Sequence, residues 1–245
     1  MNNNERFDII SLPSDGVFYP NKCSKVKLLH MNNSDDTILT APNLYESGEM
    51  VDVLLRKKVR PMENEPFVSP DDMTDGDRLA LLIFLRVTMS PIYPIFVTTS
   101  KGVEQIDFDL RTMRIKSFDE IGIMPDAEGL YSWMSPTEGV ELKFRPLLGR
   151  DESEIRRTQK SLKSSLNEYD MLKLERVVVE VDGKRDKSQI KRFISEMNLL
   201  DGRKLKKHIE DIVPTLDLNI QVVSPGGETV VSFLRFTREF FFPSI

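Results

Sequence analysis

Two prolines bracket a short turn near the start of the chain, and this stretch constrains the fold more than any other. Residues 12–20 read Leu-Pro-Ser-Asp-Gly-Val-Phe-Tyr-Pro. Ser, Asp and Gly favour a tight turn, and each proline restricts the backbone to one φ. The pattern predicts a rigid segment that turns at Gly16, leaves as a strand over residues 17–19 and stops at Pro20.

The following residues predict a series of short elements. Val26 to Leu29 is typical of a strand, and the polar cluster at 32–36 is typical of a turn. An amphipathic helix is expected from Glu49 to Val59, directly after Gly48.

The order of these features resembles the baseplate hub and hub-assembly proteins of T-even-type contractile-tailed phages. The resemblance rests on Leu-Pro-Ser-x-Gly-x-x-Tyr-Pro, a Val-Lys-Leu strand, Asp35-Asp36 before a Leu and a Pro, and Val-Asp-Val-Leu-Leu at 51–55. The last six residues, Phe-Phe-Phe-Pro-Ser-Ile, are similar to the Phe-Phe-x-Pro-Ser-Leu ending of that family. The resemblance implies a non-enzymatic protein of hub morphogenesis, either a lasting hub component or an assembly factor that leaves.

Two turns depart from the family pattern. Relatives often carry Cys-x-x-Cys where this chain has Thr-Thr-Ser-Lys-Gly at 98–102, and cysteines at the last hairpin turn, where this chain has Pro-Gly-Gly. A metal-stapled form of these hairpins is therefore not expected.

The middle of the chain predicts a buried helix followed by strands. Carboxylates after Ser69-Pro70 suit a helix start, and the helix is expected over 70–88, with an apolar run at 79–85. A hairpin is expected over 95–110 and a half-buried strand over 140–145, with Trp133 in the loop before that strand.

Residues 151–213 predict a helical subdomain. A long amphipathic stripe begins near Asp151, Asp186 is expected to cap a second helix, and Asp201 is expected to begin a third. The β-branched run at 177–181 fits either a strand or the end of a helix. A β-hairpin with a turn at 224–227 then closes the chain.

Together these elements predict an α+β fold, with a mixed or antiparallel sheet region around one buried helix and an inserted helical subdomain. We expect an N-terminal α+β domain at 1–150, the helical subdomain at 151–213, and a C-terminal hairpin at 214–245 that returns to the main domain.

The composition of the chain disfavours several classes of protein. The net charge of −5 and the pI near 5.3 disfavour a general nucleic-acid binder, and the longest apolar run is far too short to span a membrane. The single Cys23 excludes an internal disulfide, and Met1 to Arg6 lack the apolar core of a signal peptide. The expected location is the host cytoplasm during assembly, or the virion tail baseplate.

The sequence supports no catalytic constellation. His30 and His208 lie in different segments without a local nucleophile, and the paired acids at 35–36, 71–72 and 107/109 each have a structural explanation in a turn, a helix start or a strand. Neither an enzyme activity nor a cofactor or metal is expected.

Candidate partner-binding residues are Trp133 and the tail aromatics Phe240, Phe241 and Phe242. At least two of the three tail rings are expected to be buried in the protein itself. The expected partners are other phage baseplate and tail proteins, with self-association also open. The alternative is a nucleic-acid-associated protein that uses the basic helices at 151–210.

Overall fold

The computed structural model describes residues 6–162, 168–234 and 238–242. It shows a mixed α+β fold with small antiparallel sheets, which confirms the predicted class. The strands of the described residues are β1 Phe7–Ser11, β2 Lys25–Leu29, β3 Val59–Arg60, β4 Ile92–Thr99, β5 Gly102–Asp109, β6 Ile115–Lys116, β7 Tyr131–Met134, β8 Glu141–Phe144, β9 Val178–Val181, β10 Thr215–Leu216, β11 Asn219–Val223 and β12 Thr229–Phe233.

The α-helices separate these strands along the chain. In the same residues they are α1 Asp36–Leu39, α2 Pro42–Ser47, α3 Met50–Lys58, α4 Asp75–Met89, α5 Phe118–Ile121, α6 Gly149–Leu162, α7 Tyr169–Val177, α8 Lys187–Glu196 and α9 Leu199–Ile212. Short 3-10 helices occur at Asn33–Asp35, Leu110–Thr112 and Arg238–Phe241.

The strands form several small sheets instead of one continuous sheet region. Their orders are β1-β2-β3, β7-β8-β9, β4-β5, β11-β12 and β10-β6, and every pair is antiparallel. Strands from the beginning, middle and end of the chain do surround α4, as predicted, but as separate sheets.

The apolar side chains form two cores. The first combines α4 with β1, β2, α3, β4, β11 and the end of the chain. The second combines β7, β8 and β9 with α6 to α9. The helices expected at 151–213 therefore share their core with strands from residues 131–144, which lie before the predicted boundary. Phe18 packs against both cores.

The central helix begins later than predicted. Ser69 to Asp72 form a turn, and the helix starts at Asp75 because the Thr74 side chain accepts a hydrogen bond from the Asp77 N–H. Leu81 and Leu85 of α4 are fully buried, as expected of a central helix.

The motif at 12–20 forms consecutive turns, so the predicted strand at 17–19 is wrong. Val17 N–H donates to Ser14 O, and Tyr19 N–H donates to Gly16 O. Gly16 has a φ of +72°, as its predicted turn requires. The turns bring Ser14 and Tyr19 to the first turn of α4.

A buried polar cluster joins this motif to α4. The Asp77 carboxylate accepts from Ser14 N–H at 2.8 Å, from Ser14 Oγ at 2.5 Å and from the Tyr19 hydroxyl. The Tyr19 hydroxyl in turn accepts from Thr74 N–H at 3.0 Å. Burial raises the pKa of Asp77, although the hydrogen bonds act in the opposite direction. Because each polar group has a partner, a fully buried carboxylate is tolerated here without a cation.

We expect Gly16→Ala to destabilise the protein by about 2 kcal/mol. A non-glycine residue with positive φ costs about 1 kcal/mol or more. An added Cβ would also lie 2.7 Å from the backbone carbonyl of Lys22, so the loop would have to shift. Urea denaturation measures the change in the free energy of unfolding.

Gly139→Ala is the matched control for this substitution. Gly139 has a φ of +67°, and nothing lies within 4 Å of its added Cβ. It should show only the backbone cost, about 1 kcal/mol. Equal losses at the two positions would mean that the tight packing around Gly16 does not matter.

Four smaller expectations concern the elements of the second core. Trp133 lies in β7, opposite Leu142 of β8, and not in a loop. The run at 177–181, which fitted either a strand or a helix end, is strand β9 from Val178 onwards and pairs with β8. Asp186 caps α8 through the Gln189 N–H, as predicted. The third helix starts at Leu199 after the cap Asn198, two residues before the predicted Asp201.

Candidate interaction surface

The tail aromatics lie in two different environments. Phe240 and Phe241 are buried, with ring centroids 5.0 Å apart, and Phe240 also packs edge-on against Tyr93 at 5.2 Å. This confirms that at least two of the three rings are self-buried, and it removes Phe240 and Phe241 from any surface. Phe242 is 38% exposed and stays a candidate, together with the half-buried Trp133.

A buried guanidinium fixes the tail to α4. Arg86 donates to three backbone carbonyl oxygens. These are Phe240 O at 2.5 Å, Ile92 O at 3.0 Å, and Ser90 O. Burial lowers the pKa of Arg86, and each of its three side-chain nitrogens donates to one of these carbonyls. The end of the chain is therefore part of the first core.

Two hairpins expose large apolar side chains on their outer faces. On β4 and β5, Phe96 is 67% exposed and Val103 is 71% exposed. On β11 and β12, the exposed residues are Val223, Val231 and Phe233, while Ile220 and Val222 point into the core. We call these five exposed residues the hairpin face.

The two hairpins lie side by side. At their turns, the Ser100 N–H and hydroxyl both donate to Glu228 Oε2 at 2.9 Å. Further along, β4 and β12 line a groove of about 340 Å³ that includes Phe96 and Phe233. No ladder joins β4 to β12 in the described residues, and Pro94 suits such an edge because it has no N–H to donate.

Two acids and one exposed lysine, Lys101 at the β4-β5 turn, lie around the hairpin face. Asp107 is exposed on β5, and Glu228 lies at the neighbouring turn with its pKa lowered by the hydrogen bonds from Ser100. An apolar face with an acidic rim fits a partner that has an apolar face and a basic rim.

Sequence reasoning identified both hairpins but not this face. The signal was present in the adjacent pairs Val222-Val223 and Val230-Val231, and in the run Ile95-Phe96-Val97. Neighbouring residues of a strand point to opposite sides, so consecutive apolar residues place one on each face.

The two histidines lie in different parts of the fold. His30 lies 3.0 Å from Asp8 in an exposed pair, and His208 packs edge-on against Phe144 in the second core, where burial lowers its pKa. Cys23 lies in the loop before β2 and is buried, and burial raises the pKa of its thiol.

The paired acids serve structural contacts. Asp35 is buried between Lys57 and Lys58, Asp71 pairs with Arg56, and Asp72 pairs with Arg150. In the part of the chain that the structure describes, no three metal-ligating side chains come together.

Part of the positive charge on the basic helices is compensated by carboxylates. In the cleft of about 490 Å³ between α6, α7 and α8, four cations pair with carboxylates: Arg145 with Asp151, Arg176 with Glu154, Arg185 with Glu180 and Lys191 with Glu175. Such a cleft presents little net positive field to a phosphate backbone.

The fold and its surface define a mixed α+β protein with an apolar face on two adjacent hairpins. Comparison with protein-family models, with curated proteins and with solved structures found no match. Within residues 6–162, 168–234 and 238–242, every helix is too short or too polar to span a membrane.

Proposed function

We propose that this protein is a non-enzymatic component or assembly factor of a contractile-tail phage baseplate hub, and that it binds another tail protein through the hairpin face. The resemblance of residues 12–55 and of the chain end supports the phage assignment. The single structural observation that carries the binding role is the cluster of exposed apolar side chains on the two hairpins.

The hairpin face has the character of a protein-binding surface. Phe96 and Phe233 line one groove, and each leaves more than half of its surface in contact with solvent. A contiguous apolar surface with a polar rim favours protein association. Aromatic side chains in such a groove supply much of the binding energy in typical interfaces.

The partner is another protein and not a second copy of this chain. The protein has a net charge of −5, and the rim of the face carries Asp107 and Glu228. Two copies facing each other would bring these like charges together, which disfavours association.

The test is affinity recovery of the tagged protein from cells that produce the complete set of tail proteins, with identification by mass spectrometry. We expect the unchanged protein to recover tail proteins, and Phe96→Asp with Phe233→Asp to lose them. Leu199→Asp is the matched control, because Leu199 is 69% exposed on α9 and Phe96 is 67% exposed. Thermal unfolding should be similar for all variants.

The outcomes of this experiment distinguish a hub component from an assembly factor. Tail proteins recovered from lysate and also present with this protein in finished particles indicate a hub component, whereas recovery from lysate alone indicates an assembly factor. Recovery that Phe96→Asp and Phe233→Asp do not reduce would contradict the role of the hairpin face. Recovery of nucleic acid without tail proteins would overturn the phage assignment.

A further inference from the structure

A small polar recess lies where α3 and α6 meet, away from the hairpin face. Its volume is about 100 Å³, and four cationic side chains line it: Arg56 from α3, and Arg156, Arg157 and Lys160 from α6. Its floor is formed by Asp52 and Ser153. We call this the basic recess.

The floor of the basic recess combines one buried carboxylate with two guanidiniums. Asp52 is only 3% exposed and is bound by two guanidiniums, that of Arg78, which is 4% exposed, and that of Arg156. Ser153 Oγ donates to the same carboxylate at 3.1 Å. Asp52 is therefore shared between two cations, and Arg156 has Glu152 as a second carboxylate partner.

The backbone is shaped to allow this arrangement. A Cβ at Gly48 would lie 2.8 Å from Cδ of Arg156, so the stem of this arginine passes directly over the glycine. Gly48 also has a φ of +73°, which glycine adopts without steric cost. The arginine from α6 can reach Asp52 on α3 only because no side chain blocks its path.

The carboxylates in and around the basic recess are one fewer than the cations. Arg56 is paired with Asp71, and Glu152 lies 3.6 Å from Arg156. With exposed Glu49, the four carboxylates here stand against five cations when Arg78 is included.

Arg157 and Lys160 supply the donors left over for a ligand. No carboxylate of the described residues lies within 4.0 Å of either one, and Lys160 Nζ only donates to Ser47 O at 3.3 Å. The two residues are one turn apart on α6, so both reach the mouth of the recess.

We infer that the basic recess binds a tetrahedral oxyanion of the phosphate type. Arginine guanidiniums match the oxygens of such an anion with paired donors, and lysine adds a point charge. The recess, with a volume of about 100 Å³, has room for a phosphate group. The anion would bridge α3 in the first core and α6 in the second. The inference does not depend on the proposed function.

The test is isothermal titration of the full chain with inorganic phosphate, in a phosphate-free buffer at constant ionic strength. We expect one saturable site per chain, and at least tenfold weaker binding in the double variant R157A/K160A. The control is R203A/K204A, which also removes one Arg and one Lys from a helix. Both of these residues are exposed on α9, and neither has a carboxylate of the described residues within 4.0 Å. This control should bind like the unchanged protein.

Three results would overturn the inference: no saturable binding by the unchanged protein, full binding by R157A/K160A, or equal weakening in both double variants. A second titration with O-phosphoserine distinguishes the source of the anion. Tighter binding of phosphoserine than of inorganic phosphate assigns the recess to a phosphomonoester, and weaker binding assigns it to the free anion.

Discussion

Replacing Asp77 by alanine should lower the free energy of unfolding by about 3 to 5 kcal/mol, because it leaves several buried donors unsatisfied and creates a cavity. The substitution leaves the Ser14 N–H and hydroxyl and the Tyr19 hydroxyl without their acceptor, in a region with no access to water. It also leaves a cavity at the first turn of α4. Urea denaturation followed by circular dichroism measures the loss.

Two further variants show whether the buried network is the cause. Asp119→Ala removes an exposed acid from the first turn of α5, so its effect should stay within about 0.5 kcal/mol. Asp77→Asn keeps one acceptor oxygen and should lose less than Asp77→Ala. A loss at Asp77→Ala no larger than that at Asp119→Ala would contradict the proposed connection between the motif and α4.

Asp77 also makes the free energy of unfolding depend on pH, in a direction that its pKa shift fixes. Because burial raises the pKa of Asp77 above its ordinary value of 3.8, the folded protein holds the proton to higher pH than the unfolded chain does. Its contribution to stability is therefore present at low pH and is lost as the pH rises through the folded-state pKa. Asp77→Asn should lack this contribution.

Local patterns were predictable because their causes lie within a few residues. The Ser-Lys-Gly turn and the alternation on both sides of it predicted the β4-β5 hairpin, and Asp186 caps α8 through a bond only three residues away. Ile155 and Leu172 of the predicted long stripe are buried, but they lie on two helices, α6 and α7, and Glu168 is the N-cap of α7, so the single continuous stripe is wrong. Leu166 of that stripe lies outside the described residues.

Contacts between distant residues were not predictable. The acceptor that holds Ser14 lies 63 positions along the chain, so residues 17–19 read as a strand although they form turns. Asp52 and Arg156 are 104 positions apart, and each appears in the sequence as one more charge on an amphipathic helix.

The hairpin face could not be predicted from the sequence, for a related reason. Periodicity shows that a strand has two faces, but it does not show which face the rest of the chain covers. The sequence predicted that at least two of the three rings at the chain end are buried, but it did not show which ones. In the structure they are Phe240, whose carbonyl oxygen accepts from Arg86, and Phe241.

We expect Gly76→Ala to lower the free energy of unfolding by about 3 kcal/mol, although alanine normally favours a helix over glycine. Gly76 lies in the first turn of α4, where a Cβ would fall far inside van der Waals contact with the Pro214 carbonyl oxygen and 3.1 Å from Cβ of Thr215. The chain from 214 to 216 leads from the second core to the first, so neither backbone can move without disturbing both cores.

Gly202→Ala is the control that separates packing from helix propensity. Gly202 lies within α9, and the nearest atom to its added Cβ is Sδ of Met197 at 3.8 Å, an ordinary contact. This variant should gain about 0.5 to 1 kcal/mol, because the alanine loses less backbone freedom on folding. Urea denaturation of the pair should therefore show changes of opposite sign. A neutral or stabilising Gly76→Ala would mean that α4 and the segment at 214–216 are not in close contact, and that the two cores are joined elsewhere.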